Sequence, residues 1–111
     1  MAAPARLPIH LDGEIRLLPL EEILYCYADG GRVRVVTERD ELPVRWTLTT
    51  VARRLEPAPF FRAHRAYLVN LEHVRSIIPW TRNAYSLALD GRKEVPLSRH
   101  RVKALRLLLR W

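Results

Sequence analysis

Apolar and polar residues alternate with a period of two through much of this chain, and turn-forming residues interrupt the alternation every ten residues or so. Leu7 to Leu11 ends at Asp12-Gly13, a hairpin-type pair, and Glu14 to Leu18 resumes the strand. Pro19-Leu20-Glu21-Glu22 has the make-up of a single helical turn opened by proline. Ile23-Leu24-Tyr25-Cys26-Tyr27 is β-rich and closes at Asp29-Gly30-Gly31. Arg32-Val33-Arg34-Val35-Val36-Thr37 sets basic against β-branched positions, which predicts a strand with one buried face. Glu38-Arg39-Asp40 turns the chain into a strand from Leu42 to Thr47, whose Pro43 places it at a sheet edge.

The pattern then changes period. Leu48, Val51, Ala52 and Leu55 recur at helical spacing, with Thr47 or Thr49 as the cap and Pro57 as the stop. Residues 60–70, 74–80, 84–89 and 94–97 return to strands or extended pieces, with Asn83 and Asp90-Gly91 at turns. A second helix is predicted from Ser98 to Arg110, with Val102, Leu105, Leu108 and Leu109 as its apolar stripe. The sum is a mainly β domain carrying one short mid-chain helix and one C-terminal helix. Residues 1–8, punctuated by Pro4 and Pro8, are expected to form a flexible tail, and 9–111 a single domain.

Composition narrows the functions available. The 111 residues contain no apolar run long enough for a membrane span, and the start has no signal-like apolar region, so the cytoplasm is the expected compartment. The single cysteine, Cys26, cannot form an internal disulfide or a cysteine-based zinc site, and its apolar strand argues for a buried, inert thiol. No nucleophile elbow, phosphate-cradling glycine loop or metal-spaced histidine pair occurs, so neither an enzyme nor a cofactor or metal is expected.

Charge changes the picture most. Residues 1–61 hold eight basic and nine acidic side chains, whereas 62–111 hold eleven basic and three acidic, so the +7 net charge comes from the second half. Seventeen of the nineteen basic residues are arginine. Codon usage can account for that ratio but not for the asymmetry, and arginine's planar fork suits phosphate oxygens and guanine edges. A polyanion partner follows.

Three basic clusters stand out. Gly30-Gly31 leads into Arg32 and Arg34, which share one face of the following strand. Phe60-Phe61-Arg62-Ala63-His64-Arg65-Ala66-Tyr67-Leu68-Val69-Asn70 combines apolar anchors with Arg62, His64 and Arg65. Ser98-Arg99-His100-Arg101 opens the last helix with cations where the helix dipole disfavours them by about 0.3–1 kcal/mol each. Free backbone N–H groups and arginines at a helix start would together suit an anion.

These segments resemble the LytTR family of bacterial DNA-binding domains. The match lies in Ile23-Leu24-Tyr25 with Ala28-Asp29-Gly30, in Phe61 to Asn70, and in Val95-Pro96-Leu97-Ser98-Arg99. It spans roughly Leu7 to Trp111, and the central and terminal motifs carry its specificity. One departure is Ala66, where the family usually has serine, which removes a hydroxyl contact to phosphate. The resemblance implies about ten short strands in small antiparallel sheets and sequence-specific recognition of double-stranded DNA by loops. Carried over residue by residue, the Gly31-Arg32-Val33 region, Arg65 and Arg99 would reach DNA, with Arg32 and Arg34 both open as the first-loop contact. Arg62, His64, Arg101 and Lys103 would position phosphates. The family also implies a transcriptional regulator of two-component type, monomeric alone and paired on direct repeats. An N-terminal receiver or sensor domain would sit in a longer chain or a partner, so this chain would be an excised domain or a minimal regulator. Two other readings stand beside it. One is an RNA-binding β module that stacks bases on Trp80, Tyr85 and Tyr67. The other is a protein-interaction module using Trp46, Trp80 and Trp111.

Overall fold

A computed structural model describes residues 5–56 and 58–111. Strands β1 (Arg6–Leu11) and β2 (Glu14–Pro19) form an antiparallel hairpin. Its two-residue turn places Asp12 at φ 51° and Gly13 at φ 79°, the doubly positive backbone that a type I′ turn requires. Arg6, Leu7 and Pro8, expected in the tail, therefore lie in β1; residues 1–4 are outside those described. A 3-10 turn over Leu20–Glu22, entered from Pro19, leads to the main sheet.

That sheet has five strands, β3 (Tyr25–Asp29), β4 (Arg32–Val36), β5 (Glu41–Val44), β6 (Phe60–His64) and β7 (Tyr67–Asn70), in the order β5-β4-β3-β7-β6. Pro43 does sit on an edge strand, where its missing N–H leaves no ladder bond unmade. Helix α1 (Leu48–Arg54) connects β5 to β6 and is capped by the Thr47 hydroxyl, which accepts from the Thr50 N–H at 3.1 Å. The expected stop at Pro57 falls on a residue outside those described. A second sheet holds β8 (Val74–Thr81), β9 (Ala84–Leu89) and β10 (Lys93–Leu97) in the order β10-β9-β8. Helix α2 (Val102–Leu109) follows. The ten strands in small antiparallel sheets and two short helices among the described residues match the expected class.

Two apolar clusters hold the layers together. Leu7, Ile9, Cys26, Val33, Val35, Leu68 and Val51 join the hairpin and α1 to one side of the five-stranded sheet. Leu24, Phe61, Ala63, Val69, Leu87, Val95 and Leu105 join its other side to the three-stranded sheet and α2. Leu68 and Val69, adjacent in β7, go to opposite clusters, as the two-residue period of a strand dictates. Each fully buried Leu or Val side chain contributes about 1.5–3 kcal/mol.

The C-terminal helix differs from expectation in two ways. Ser98 caps a 3-10 turn, Arg99–Arg101, by accepting from the His100 N–H, and this turn runs directly into α2, whose α-helical part begins at Val102. The free N–H groups expected at the start of this helix therefore belong to its 3-10 first turn. Leu108 and Leu109, assigned to the apolar stripe, are 60% and 42% exposed, because Leu105 is the last residue of α2 to reach the core. No helix among the described residues is long and apolar enough to cross a membrane.

Candidate nucleic-acid interface

The segment over 60–70, read from sequence as one extended stretch, is a tight hairpin. β6 ends at His64, β7 begins at Tyr67, and Arg65-Ala66 form the tip. The tip contains no glycine, proline, asparagine or aspartate. Side chains hold it instead. The Arg62 guanidinium donates from Nε to the His64 carbonyl at 3.2 Å and from Nη2 to the Arg65 carbonyl at 2.5 Å. The His64 ring accepts the Ala66 N–H at Nδ1 over 3.1 Å, the local bond that an asparagine or aspartate usually makes in a turn. The Ala66 carbonyl then accepts from the Ala28 N–H at 2.9 Å, tying the tip to the end of β3. Arg65 is left exposed at the apex.

The same end of the sheet gathers the other two clusters. Asp29 pairs with Arg32 across the β3–β4 turn, where Gly30 and Gly31 take φ of 58° and 80°. Strands β4 and β7 flank β3 on either side, so they lie about 10 Å apart. Arg32 is exposed at the mouth of this turn, whereas Arg34 is half-buried one step inward, opposite Tyr27 and Pro43. On the far side, the Ser98 N–H donates to the Ala63 carbonyl at 2.8 Å, and Arg101 Nε donates to the Arg62 carbonyl at 2.9 Å. Arg101 also lies over the Phe61 ring, 5.0 Å from its centroid. These bonds dock the Arg99–Arg101 turn against β6 and leave Arg99 exposed.

The eight candidates therefore divide. Arg32, Arg65 and Arg99 sit on three adjacent loops, and among the described residues no hydrogen bond or ion pair engages their guanidinium groups. Lys103 is exposed on the first turn of α2. Arg62, His64 and Arg101 are half-buried and committed to backbone or ring neighbours. Their work in the structure is to shape the tip.

Behind the tip lies an aromatic support. Tyr67 stacks with Tyr27 at 5.9 Å between centroids, meets Tyr25 at 6.1 Å, and receives the His64 ring edge-on at 5.7 Å. Burial, and after it the hydrogen bond to Glu41, push the Tyr27 hydroxyl above its ordinary range, so it stays a neutral donor. Burial likewise raises the Cys26 thiol to about 12. The three tryptophans lie on different elements. Trp46 follows β5 and carries the Arg54 guanidinium 4.1 Å above its ring, Trp80 in β8 donates to Ser86 at 2.8 Å, and Trp111 follows α2 under Arg106.

Sequence reasoning passed over Arg82 and Arg106. Both line a depression between the β8–β9 turn and α2, together with Arg99 and Lys103. The signal was present: Arg99, Lys103 and Arg106 recur at i, i+4 and i+7.

Comparison with known proteins agrees with this architecture. The chain is 38% identical over 99 residues to the "Transcriptional regulatory protein YpdB" of Escherichia coli (strain K12), covering 88% of this chain and 41% of that protein. It is 33% identical over 105 residues to the "Sensory transduction protein LytT" of Bacillus anthracis, covering 95% of this chain and 43% of that protein. The chain thus spans less than half the length of these relatives. In fold it resembles the LytTr DNA-binding domain of a putative methyl-accepting/DNA response regulator from Bacillus cereus, with a TM-score of 0.85 over 96% of this chain and 97% of the other, at 24% identity. Residues 13–110 match the LytTr DNA-binding domain family, and the chain belongs to that family of DNA-binding domains.

Proposed function

We propose that this domain reads double-stranded DNA with three loops at one end of its central sheet. Arg65 and Arg99 make the base contacts, and Arg32 makes a separate contact from the β3–β4 turn. The observation that carries the proposal is the gathering of three exposed arginines, unpaired among the described residues, on loops fixed to one another by backbone hydrogen bonds. A guanidinium presented on a rigid tip can form two parallel bonds to guanine, worth about 1–3 kcal/mol of discrimination. Arg34, set back behind Arg32, is the weaker candidate of the two. Lys103 contacts phosphate, which adds affinity without sequence information. Arg62, His64 and Arg101 serve the same end by holding the tip. Each still has a polar group without a partner among the described residues, Nη1 of Arg62, Nε2 of His64 and both Nη of Arg101, with which to reach a phosphate as well.

The names of the relatives support a wider assignment. In it the domain is the output part of a bacterial transcription regulator acting in the cytoplasm. A receiver or sensor domain belongs to the longer protein, and two copies, monomeric in isolation, occupy paired direct repeats. The test is selection of bound sequences from a random duplex pool, followed by competition of the selected duplex with single-stranded RNA and heparin at matched salt. A recurrent motif, found twice at fixed spacing and displaced poorly by RNA, is expected. Preferential binding of RNA would remove the proposal.

A further inference from the structure

One depression beside the three loops gathers four cations. Strands β8 and β9 meet at Arg82-Asn83, and this turn faces the outer side of α2 across a depression of about 560 Å³. Arg82 and Asn83 line it from the turn, and Arg99, Lys103 and Arg106 from the last helical segment. Tyr85, Val102 and Leu107 complete the walls, and no acidic residue is among them. Four cations around one cavity repel one another, and a Debye length of about 8 Å screens that repulsion only in part. Two cations elsewhere have carboxylate partners. Arg16 pairs with Asp40 at 3.5 Å and Arg75 with Asp90 at 3.7 Å, but among the described residues no carboxylate pairs with Arg82, Lys103 or Arg106. An uncompensated cationic groove of this kind suits a polyanion.

We infer that this groove holds successive phosphates of the DNA strand flanking the bases read by the loops, with Arg82 and Arg106 as its contacts beside Lys103. The inference rests on the DNA reading above and extends it. Arg99 lines both the groove and the reading end, so the two surfaces are continuous. A strand leaving Arg99 therefore meets Lys103, Arg106 and Arg82 without crossing a carboxylate. Three phosphates neutralised here would release their counterions and steepen the salt dependence of binding. They would act alike on every sequence.

The test compares the wild-type chain with the double variant Arg82→Ala, Arg106→Ala on the selected duplex and on a scrambled duplex, between about 50 and 200 mM salt. The slope of log K against log salt should shrink by about 1.8, since each phosphate no longer neutralised removes about 0.9. Affinity for the two duplexes should fall by the same factor, leaving their ratio unchanged. The variant Arg82→Lys, Arg106→Lys keeps the charges and should keep the slope. Arg39→Ala, which removes an exposed cation from the separate depression shared with Glu21, Glu22, Glu38 and Asp40, should also leave it unchanged. An unchanged slope in the alanine double variant, with duplex binding otherwise intact, overturns the groove and leaves the DNA reading standing. So does a drop in slope of about 0.9 from Arg39→Ala, the same per charge removed, which would reduce the effect to net charge. If the wild-type chain prefers RNA to both duplexes, the DNA reading itself fails and takes the groove with it.

Discussion

Arg62 and Arg65 lie three positions apart in one motif, yet they have opposite duties. The Arg62 guanidinium gives its hydrogen bonds to two carbonyls of the tip, while that of Arg65 has no partner among the described residues. Arg65→Ala and Arg99→Ala should therefore each weaken binding to the selected duplex by about 1–3 kcal/mol while barely moving the melting temperature. Arg62→Ala should do something else. It frees two carbonyls that a charged donor had satisfied, at about 1.5–3 kcal/mol, so both melting temperature and affinity should fall. Thermal unfolding and duplex titration of the three variants separate the two classes. If Arg99→Ala unfolds the domain, that residue is structural and its place in the reading set is lost. Cys26 gives a further check on the core. Fully buried and with its thiol raised to about 12, it should resist alkylation in the native protein and react only on unfolding.

At the scale of elements, His73 joins parts of the chain that are distant in sequence. Its Nε2 lies 2.5 Å from the Glu21 carbonyl, at the end of the hairpin segment, and its Nδ1 lies 2.7 Å from Asp90, at the β9–β10 turn. Both neighbours are acceptors, so both ring nitrogens must carry protons. Burial opposes the charge, but the bonds to Asp90 and Glu21 and the charges of Asp90 and Glu72 outweigh it, and the net effect raises the histidine above 6.5. A group raised on folding contributes stability that is complete below its unfolded value and is lost as pH rises through the folded one. Urea midpoints should therefore fall as pH is raised above about 6.5, and His73→Gln should flatten that fall. An identical pH profile in the variant would show that the contact carries no proton linkage.

The elements also show where the sequence was legible. Period two gave β1 through β4 and their turns because Asp12-Gly13 and Gly30-Gly31 announce positive backbone angles. The β6–β7 tip was not legible, since His64-Arg65-Ala66 has no turn-forming residue and is held by side-chain bonds that no local pattern reports. The stripe on α2 was over-read for a related reason. Helical spacing shows which face an element could bury, and only neighbouring elements decide how much of it they cover.

For the molecule as a whole, the contrast between the two halves of the chain becomes a spatial one. The first half supplies most of one apolar cluster and one of the three arginine loops. The second half supplies the other two loops and the basic groove. If the proposed arginine and lysine contacts carry binding, the affinity of a single copy for duplex should drop steeply between about 50 and 200 mM salt. Two copies joined by a flexible linker of suitable span should bind a paired site far more tightly than one, by about 10²–10⁴-fold for a well-matched linker. Equal affinity for single and paired sites would argue against the paired arrangement. The tip itself sets the thermodynamic character of each encounter. Fastened by a guanidinium, an imidazole and a neighbouring strand, it has given up its freedom during folding, before any partner arrives. Docking would then need no further ordering of this backbone, and calorimetry should register only the heat-capacity change of burying a small contact area, without the larger signature of a segment that folds as it binds.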